Sequence, residues 1–443
     1  MEDKGLLPMH AYQKRAVEAI KNCGSGLAVW LPMGMGKTRI IIETLKQMGR
    51  PKALVVAPAT VVKNVWKQEA EKWDADAKVV LITGSPSRRL CKLDEEGDIY
   101  VVSRDLMKWL YGLNLRRKWD VLIIDESTSF KNPSTQRWRS MKRMMGWFSK
   151  IILLSGTPNA NGYIDLWAQY YLLDGGKRLG RYITFYKQDY FVPIMINGYM
   201  IYKYPKKGAT DIINEKIKDI TFALSADDWL QLPDTISHII SVEQSEKEKK
   251  SYREMAKSYV LGTEVTAVNA AVLCGKLQQL ANGFAYSDAG ETIEIGTSKL
   301  DALREIIDTA TDNILVYFRY AEDRKRLLES GGHELKSEKD IAKWNEGKIP
   351  FAVANPSSIG YGINLQHGGH HIVWYSIPWS LEVYAQANAR LVRQGQEHPV
   401  TITHLLTKDT VDMKIMNALQ TKQTDMQALI DAVKSEVDGG KNE

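Results

Sequence analysis

The chain has 443 residues, which is too long for a single hydrophobic core and favours two or three domains. Its hydrophobic content of 44% and charged content of 25% are ordinary for a globular protein, and its formal net charge of +6 permits a polyanionic partner without requiring one. Three cysteines without a CxxC pair exclude a disulfide framework, and no apolar run approaches the roughly 18 residues of a membrane span. We therefore expect a cytoplasmic protein with no membrane partner.

Short runs rich in Val, Ile and Leu alternate with helical segments through the first 170 residues. The apolar runs are continuous, which is typical of strands that are buried on both faces of a parallel sheet. The predicted strands are residues 26–31, 52–58, 78–83, 98–103, 120–126 and 150–156. This alternation predicts a doubly wound α/β domain.

A second α/β series begins near residue 298, after a segment that is aromatic, helical and rich in loops. Its predicted strands are residues 313–318, 349–355, 370–376 and 400–406. The sequence therefore predicts an α/β fold with two tandem domains. The expected divisions are a first lobe over 1–170, a helical insertion and linker over 171–228, a helical segment over 229–297 that leads into the second lobe, and the second lobe over 298–443.

The stretch "LPMGMGKTRI" (31–40) contains a Gly-x-Gly-Lys-Thr core between a predicted strand and a predicted helix. Such a loop binds phosphates through backbone N–H groups at a helix N-terminus, while its lysine meets the β and γ phosphates and its hydroxyl binds Mg²⁺. Leu31 occupies the usual position of a first glycine, a variation we expect to be tolerated. ATP and Mg²⁺ are the predicted cofactors, and the predicted binding residues are Met33, Gly34, Met35, Gly36, Lys37, Thr38 and Arg39.

The run "VLIIDES" places two acids directly after a buried strand. We expect Asp125 to bind Mg²⁺ together with Thr38, and Glu126 to polarise the attacking water. The alternative is a strand that ends in surface acids. The phosphate-loop pattern upstream favours the catalytic interpretation, with Lys37, Asp125 and Glu126 as its first members.

Several motifs of the first half resemble those of superfamily 2 helicases and translocases. Asp125-Glu126-Ser127-Thr128 resembles their Asp-Glu-x-His box, "LLSGTPNAN" (153–161) is similar to their motif III, and "YQKRAVEAI" (12–20) resembles the element that recognises adenine. The resemblance implies that Gln13 contacts the base. It also implies that Ser155, Gly156 and Thr157 couple hydrolysis to lobe movement.

The second half narrows the resemblance to the Swi/Snf-type ATPases. "QANARLVRQGQ" (386–396) resembles their motif VI, "GYGINLQHG" (360–368) their motif V and "DTVDMKIMNAL" (409–419) their closing brace helix. The resemblance spans residues 12 to 418 and implies two RecA-like lobes. It further implies that Gln386, Arg390 and Arg393 act in catalysis from the second lobe, and that Gly360 and Gly362 belong to the coupling elements.

The same resemblance implies a nucleic-acid track on both lobes, with contacts to phosphates that are independent of sequence and sensitive to salt. The candidate residues are Thr60, Lys63, Asn64, Trp66, Ser103, Arg104, Arg319 and Ser357. For Trp66 the alternative is packing inside the protein. Thr128 departs from the histidine of the family box, and Ser357 departs from the usual basic residue of motif V.

The short lobes without flanking modules resemble phage or prophage members of the family, in a prokaryotic or phage-infected cell. We expect a monomeric, DNA-stimulated ATPase that translocates on or remodels duplex, forked or branched DNA, because no wedge for strand separation is evident. Two alternatives stay open: a strand-separating helicase of replication or recombination, and a non-motor scaffold that recruits a nuclease. A nuclease or a replication protein is the expected protein partner, and RNA is a second candidate polymer.

Overall fold

The computed structural model describes residues 8–116, 118–156, 162–196, 199–224, 233–262, 267–287, 290–357, 364–393 and 395–421. The chain forms two compact units, of which the first extends to Gln231 and the second begins at Leu232.

The first unit is built on a parallel sheet in the order β3-β4-β2-β5-β6-β1-β9. Its strands are β1 (Gly26–Trp30), β2 (Ala53–Ala57), β3 (Val79–Ile82), β4 (Ile99–Ser103), β5 (Val121–Asp125), β6 (Lys150–Ser155) and β9 (Thr221–Ala223), and a separate antiparallel hairpin comprises β7 (Phe191–Ile196) and β8 (Tyr199–Pro205). Because β1, β5 and β6 are parallel, their carboxyl ends lie at the same edge of the sheet.

Ten helices among the described residues belong to this unit. They are α1 (Ala11–Asn22), α2 (Lys37–Gln47), α3 (Ala59–Asn64), α4 (Trp66–Trp73), α5 (Pro86–Asp94), α6 (Met107–Gly112), α7 (Gln136–Met144), α8 (Leu166–Asp174), α9 (Ile183–Tyr190) and α10 (Ala209–Ile217). Helix α8 is buried along almost its whole length and contacts both β1 and β6. The continuous apolar strands are buried on both faces, as parallel-sheet strands must be when helices cover them.

The second unit is built on another parallel sheet, in the order β10-β17-β16-β13-β15-β14. Its strands are β10 (Thr235–Val242), β13 (Ile314–Tyr317), β14 (His333–Glu334), β15 (Phe351–Ala354), β16 (His371–Trp374) and β17 (Val400–Thr407), and a small hairpin comprises β11 (Phe284–Tyr286) and β12 (Thr292–Glu294). Its helices are α11 (Glu246–Gly262), α12 (Ala267–Ala281), α13 (Ser298–Thr309), α14 (Ala321–Glu329), α15 (Glu338–Asn345), α16 (Leu381–Asn388) and α17 (Val411–Gln420).

The core of the second unit lies on both faces of its sheet. Along β13, Leu315 and Tyr317 belong to one cluster of buried side chains, whereas Ile314 and Val316 belong to another on the opposite face. This alternation follows from the two-residue period of a strand. The predicted α/β fold of two tandem RecA-like domains, with parallel sheets flanked by helices, is confirmed.

The segments between the two predicted lobes differ from the expectation in detail. Residues 171–228 contain the β7–β8 hairpin and the strand β9, which joins the edge of the first sheet, in addition to helices. Residues 229–297 include β10, which pairs with β17 along its full length and forms the edge of the second sheet. The sequence of this stretch indicates a linker that enters a new strand, and β10 is exposed at all but its last residue because it lies at the edge of the sheet.

Among the described residues, no helix is both long enough and apolar enough to cross a membrane.

Candidate active site

The loop between β1 and α2 adopts a conformation that requires glycine at two positions. Gly34 and Gly36 have φ angles of 82° and 70°, in the left-handed region that residues with a Cβ rarely adopt. A Cβ on Gly36 would lie 2.5 Å from Nε2 of Gln13, so a side chain there would also collide. Leu31 is buried, and its N–H donates to the carbonyl of Ser155 at 3.1 Å. Leu31 therefore continues the pairing of β1 with β6, and the sharp turn comes later in the loop.

Helix α1 holds the same loop from the other side. The Tyr12 hydroxyl donates to the carbonyl of Met35 at 3.0 Å, and Nε2 of Gln13 donates to the same carbonyl at 3.4 Å. Oε1 of Gln13 accepts from the N–H of His10 at 3.0 Å. Gln13 was predicted from the sequence to contact the base, which stays a prediction, whereas the contact of Tyr12 with the loop was not foreseen although Tyr12 precedes Gln13 in the same motif.

Lys37 begins α2 directly after the loop. Its Nζ donates to the carbonyls of Leu31 and Pro32, at 3.0 and 3.3 Å, so the ammonium lies over the loop. Thr38 is half-buried in the first turn of this helix. The backbone N–H groups of a helix N-terminus attract phosphate, so the loop, Lys37 and Thr38 together fit a triphosphate.

Arg39, a predicted nucleotide-binding residue, is engaged elsewhere. Its guanidinium stacks over the Trp73 ring, 3.8 Å from the ring centre, and burial lowers its pKa. This cation–π contact joins α2 to α4. Arg39 therefore packs between two helices in this structure, and its contact with the nucleotide stays a prediction.

Asp125 ends β5 and is buried at the same sheet edge as the phosphate loop. Burial raises the pKa of the Asp125 carboxyl, while the positive charge of Lys37 and a hydrogen bond from Trp66 oppose that shift. Nε1 of Trp66 donates to Oδ2 of Asp125 at 3.2 Å. A buried carboxylate beside a lysine is suited to binding a cation through its ionised form.

Trp66 was predicted to contact nucleic acid, and the structure contradicts this. The side chain is completely buried, so no polymer can reach it. Its N–H group is directed to Asp125 instead. The packing alternative is therefore the correct one, with the addition that this tryptophan supports an acid of the active site.

Glu126 follows Asp125 in an unusual backbone conformation. Its φ of 53° is in the left-handed region, and the residue is buried. A non-glycine residue held in this region carries strain, which is typical of functional sites. The conformation ends β5 and begins a 3₁₀ segment over Ser127–Phe130.

The box Asp125-Glu126-Ser127-Thr128, which we call motif II, is also joined to helix α8, through residues that the sequence did not single out. The Ser127 hydroxyl donates to Oε1 of Gln169 at 2.7 Å, and Nε2 of Gln169 donates to the carbonyl of Asp165 at 3.1 Å. Thr128, which replaces the family histidine, is buried. The sequence signal for this contact was Gln169 itself, a glutamine on an otherwise apolar helix, because a buried amide must find hydrogen-bond partners.

The predicted coupling residues of motif III lie against the phosphate loop. Ser155 is buried at the end of β6, and a Cβ on Gly156 would lie 3.3 Å from the backbone nitrogen of Met33. Glycine therefore allows the chain after β6 to approach the loop closely. Thr157, and Gly360 and Gly362 of motif V, lie outside the described residues.

The first-unit site fits ATP with Mg²⁺. Among the described residues, no group of three or more His, Cys, Asp or Glu side chains is arranged to hold a metal ion. Mg²⁺ ordinarily needs only one or two protein ligands when phosphate oxygens and water complete its shell. Asp125 and Thr38 are the residues that would hold it.

In the second unit, α16 lies across the carboxyl ends of two strands. The Tyr317 hydroxyl, at the end of β13, donates to the carbonyl of Ala387 at 2.8 Å, and Nε1 of Trp374, at the end of β16, donates to Oδ1 of Asn388 at 3.0 Å. Gln386 is buried on this helix and donates to Glu382 at 3.2 Å. The carboxyl edge of an open parallel sheet is where ligands ordinarily bind.

Arg390 and Arg393 follow α16 in a turn instead of lying on a solvated helix face. Arg390 is buried, and its carbonyl accepts from the N–H of Leu365 at 3.3 Å. Nη1 of Arg393 donates to Oδ1 of Asn364. Both arginines are thus held by the segment that precedes β16, and their action on a γ-phosphate stays a prediction.

The other nucleic-acid candidates lie at carboxyl strand ends in each unit. In the second unit, Arg319 and Ser357 are exposed and meet through Asn355, whose Nδ2 donates to the Arg319 carbonyl at 3.3 Å and whose Oδ1 accepts from the Ser357 N–H at 2.9 Å. In the first unit, Ser103 caps the 3₁₀ turn that contains Arg104. Thr60, Lys63 and Asn64 belong to α3, and their side chains lie outside the described part.

A loop whose backbone requires glycine at two positions lies directly before a helix, and two buried acids lie at the end of a nearby strand. This combination defines a phosphate-loop nucleoside triphosphatase. Residues 12–286 match the SNF2-related domain. The chain belongs to this family, and it is a Swi/Snf-type helicase-like ATPase of superfamily 2, as its motifs predict.

Protein p41 of Acyrthosiphon pisum secondary endosymbiont phage 1 is 32% identical, over 92% of this chain and 94% of the phage protein. The ATP-dependent helicase/translocase YwqA of Bacillus subtilis is 26% identical over 95% of this chain, which spans 48% of YwqA. Among solved structures, the SWI2/SNF2 ATPase core of Sulfolobus solfataricus in complex with dsDNA aligns with 95% of this chain and 93% of its own, at 20% identity and a TM-score of 0.47.

Proposed function

We propose that this ATPase is stimulated by DNA and uses hydrolysis to translocate on, or remodel, duplex, forked or branched DNA. The observation that carries the proposal is the meeting of the glycine-shaped loop, Lys37 and the buried Asp125 at one edge of the first sheet. This arrangement is that of a working ATPase, which argues against a non-motor scaffold.

In the proposed reaction, Lys37 turns from the loop carbonyls to the β and γ phosphates, because a triphosphate offers the ammonium a full negative charge. Asp125 and Thr38 would hold Mg²⁺, which would neutralise phosphate charge when bound. Glu126 orients and polarises the attacking water, and its fixed backbone keeps the carboxylate in place. Tyr12 and Gln13 keep the loop in its binding conformation through Met35.

Arg390 and Arg393 would supply positive charge to the γ-phosphate during hydrolysis. An arginine in this role stabilises the negative charge of the transition state. Because both residues belong to the second unit, hydrolysis would depend on both units, and the cycle of ATP binding and release would drive movement along the polymer.

The relatives support DNA as the polymer. YwqA is described as a helicase/translocase, and human ERCC-6 and RAD54B are DNA repair proteins that are 24% and 22% identical to this chain. This chain spans 30% of ERCC-6 and 53% of RAD54B, so their activities as whole proteins come to it only as a proposal. The exposed Arg319 and Ser357 offer a cation and a hydroxyl of the kind that contact DNA phosphates.

The test is ATP turnover of the full chain with single-stranded, duplex, forked and four-way DNA, and with the same panel in RNA. We expect stimulation by at least one DNA, and a fall of about 100-fold or more for Lys37→Ala, because a residue that stabilises transition-state charge is worth this much. A triplex-displacement assay then detects translocation, and a fluorescently labelled fork detects strand separation. Turnover that no polymer changes would reject the proposal, as would a Lys37→Ala protein as active as the wild type.

A further inference from the structure

The β7–β8 hairpin is fixed to the first unit at its base. Phe191, the first residue of β7, is completely buried, and it packs with Tyr186 of α9 at a ring-centre distance of 5.4 Å. The N–H of Lys206 donates to the carbonyl of Tyr190 at 2.8 Å, just past the end of β8. The hairpin therefore starts from a rigid base.

The chain segment that runs from the start of α9 into the β7–β8 hairpin exposes several large apolar side chains. Met195 and Met200 face each other across the two strands and are 66% and 60% exposed. Tyr182 and Phe185, at the start of α9, are each 57% exposed and contact each other edge to face at 6.0 Å. Large apolar groups that recur at exposed positions of one short segment indicate a binding surface.

The same segment is also basic. Residues 177–207 contain seven Lys or Arg and a single acid, Asp189, an excess of six that equals the net charge of +6 of the entire chain. Arg181, Lys206 and Lys207 are exposed in this segment, whereas Arg178 is paired with Asp174 and Asp219. The partner must therefore be an anion with flat or apolar groups of its own.

Unpaired DNA bases next to their phosphates have this chemistry. Bases stack on aromatic side chains without sequence preference, and methionine side chains can insert between base steps. Lys and Arg neutralise the adjacent phosphates. Protein interfaces are also enriched in aromatic residues, Met and Arg but are depleted of lysine, so the lysines of this segment favour nucleic acid.

We infer that Tyr182, Phe185, Met195 and Met200, which we call the hairpin surface, bind unpaired bases of DNA at a fork or junction. Arg181, Lys206 and Lys207 contact the phosphates beside those bases. The inference rests on the proposed action on DNA and adds a contact to it outside the helicase motifs. It also supplies the element for unpaired strands that the sequence did not reveal.

The position of the hairpin suits this role, because its base adjoins the segment that is joined to motif II. The Tyr186 hydroxyl donates to the carbonyl of Tyr163 at 2.7 Å. Tyr163 begins the 3₁₀ segment that ends at Asp165, the residue that accepts from Gln169. A polymer on the hairpin surface would lie on the same rigid unit as the catalytic acids.

The test compares the full-length wild type with the variant Tyr182→Ala/Phe185→Ala/Met195→Ser/Met200→Ser. Fluorescence anisotropy, without nucleotide, measures binding to a fork with two unpaired arms, to single-stranded DNA and to blunt duplex. We expect about tenfold or greater loss of affinity for the fork and the single strand, since one stacked base alone is worth about 5-fold to 150-fold. Blunt duplex affinity should change less than threefold.

Leu90→Ser is the matched control, because Leu90 is an exposed apolar residue of α5 in the same unit, at 45% exposure. It should bind all three DNAs as the wild type does. A second variant, Arg181→Gln/Lys206→Gln/Lys207→Gln, should lower the salt dependence of fork binding by about three in the log–log slope, about one for each phosphate that is no longer neutralised. This variant leaves the apolar groups in place, so it tests the surface even if the first variant folds poorly.

Unchanged fork binding in both variants overturns the inference, and so does an equal loss on fork and blunt duplex. Sedimentation with phosphatidylserine vesicles tests a membrane as the partner instead. The inference is also overturned if the wild type binds vesicles and the first variant loses that binding while it keeps its binding to DNA. DNA stimulation of ATP turnover is measured in parallel. If DNA stimulates the wild type but the variants bind the fork as the wild type does, only the DNA-binding role of the hairpin surface is rejected. If DNA does not stimulate the wild type, the proposed function itself is rejected.

Discussion

Trp66 and Asp125 form a pair in which a buried indole N–H donates to a buried carboxylate. Such a bond favours the ionised carboxylate, because the N–H stabilises negative charge in a place where water does not. Asp125 must be ionised to hold Mg²⁺ in the proposed reaction. Trp66 is thus a positioning residue for Asp125 and makes no contact with the reacting atoms.

Trp66→Phe should weaken the use of Mg²⁺ while keeping the fold. Phenylalanine fills most of the space of the indole but has no N–H, so one charge-assisted hydrogen bond, worth about 1.5–3 kcal/mol, is lost. We expect the Mg²⁺ concentration for half-maximal ATP turnover to rise about tenfold, which corresponds to about 1.4 kcal/mol. The measurement is turnover at saturating ATP over a Mg²⁺ titration.

Trp73→Phe is the control for this prediction. Trp73 also donates its indole N–H to a carboxylate, that of Glu69 at 2.8 Å, but this pair lies on α4 and away from β5. Its Mg²⁺ titration should match that of the wild type. Superimposable titrations for both variants would mean that the Trp66 bond does not support metal binding.

The residues of the site differ in how far the sequence could reveal them. Lys37, Asp125 and Glu126 belong to short motifs whose spacing is local, so their place at strand ends could be predicted. The contacts of Trp66 with Asp125 and of Gln169 with Ser127 join positions 59 and 42 residues apart. Only the folded chain brings such pairs together, because no local period relates them.

At the scale of elements, a buried ion pair joins the first turns of α13 and α17. Nζ of Lys299 donates to Oδ2 of Asp412 at 2.5 Å, and both side chains are almost completely buried. Lys299 also donates to Oδ1 of Asn282 at 2.9 Å, and the Thr407 N–H donates to Asp412 at 3.2 Å. The sequence places Lys299 at the start of the second α/β series and Asp412 in the segment that resembles the brace helix, but the ion pair that joins them was not foreseen.

Lys299→Met should lower the free energy of unfolding of the second unit by about 3–5 kcal/mol, because it leaves the Asp412 carboxylate buried without its cation. In an Asp412→Asn background the same substitution should cost less, since no buried charge is then left behind. Urea unfolding followed by circular dichroism measures the four proteins of this cycle.

Lys249→Met, which removes an exposed pair with Glu246, should cost less than about 1 kcal/mol. A cost that is the same in both backgrounds would show that the pair contributes no coupling.

Elements were predictable where burial imposes a strict pattern. Most strands that are covered on two faces are continuous apolar runs, whereas β17 contains Thr401, Thr403 and His404; each of these strands was found within one or two residues of its bounds. The edge strands β9 and β14 and the β7–β8 hairpin were not predicted, and β10 was indicated only as a linker that enters a new strand. Their sequences are short, alternating or aromatic, because one face or one edge meets water and the constraint on composition is weaker.

At the scale of the whole molecule, the proposed reaction divides its groups between two units that each have their own sheet and core. The first contains the loop, Asp125 and Glu126, and the second contains Arg390 and Arg393. Binding and hydrolysis can then be separated by substitution, because the first unit would bind the nucleotide while the arginines would act mainly on the transition state.

Arg393→Ala and Arg390→Ala should therefore each lower ATP turnover by about 10³-fold or more, the magnitude of an arginine that acts on a transferring phosphoryl group. The affinity for a fluorescent ATP analogue should change less than about threefold, since ground-state binding belongs to the first unit. Arg393→Lys should stay impaired, because lysine is a single point charge and lacks the planar fork of the guanidinium. Turnover by stopped assay and affinity by equilibrium titration are measured on the same preparations, with and without forked DNA. An equal loss of affinity and turnover would instead make these arginines part of the nucleotide-binding surface, and retention of turnover would remove them from the mechanism.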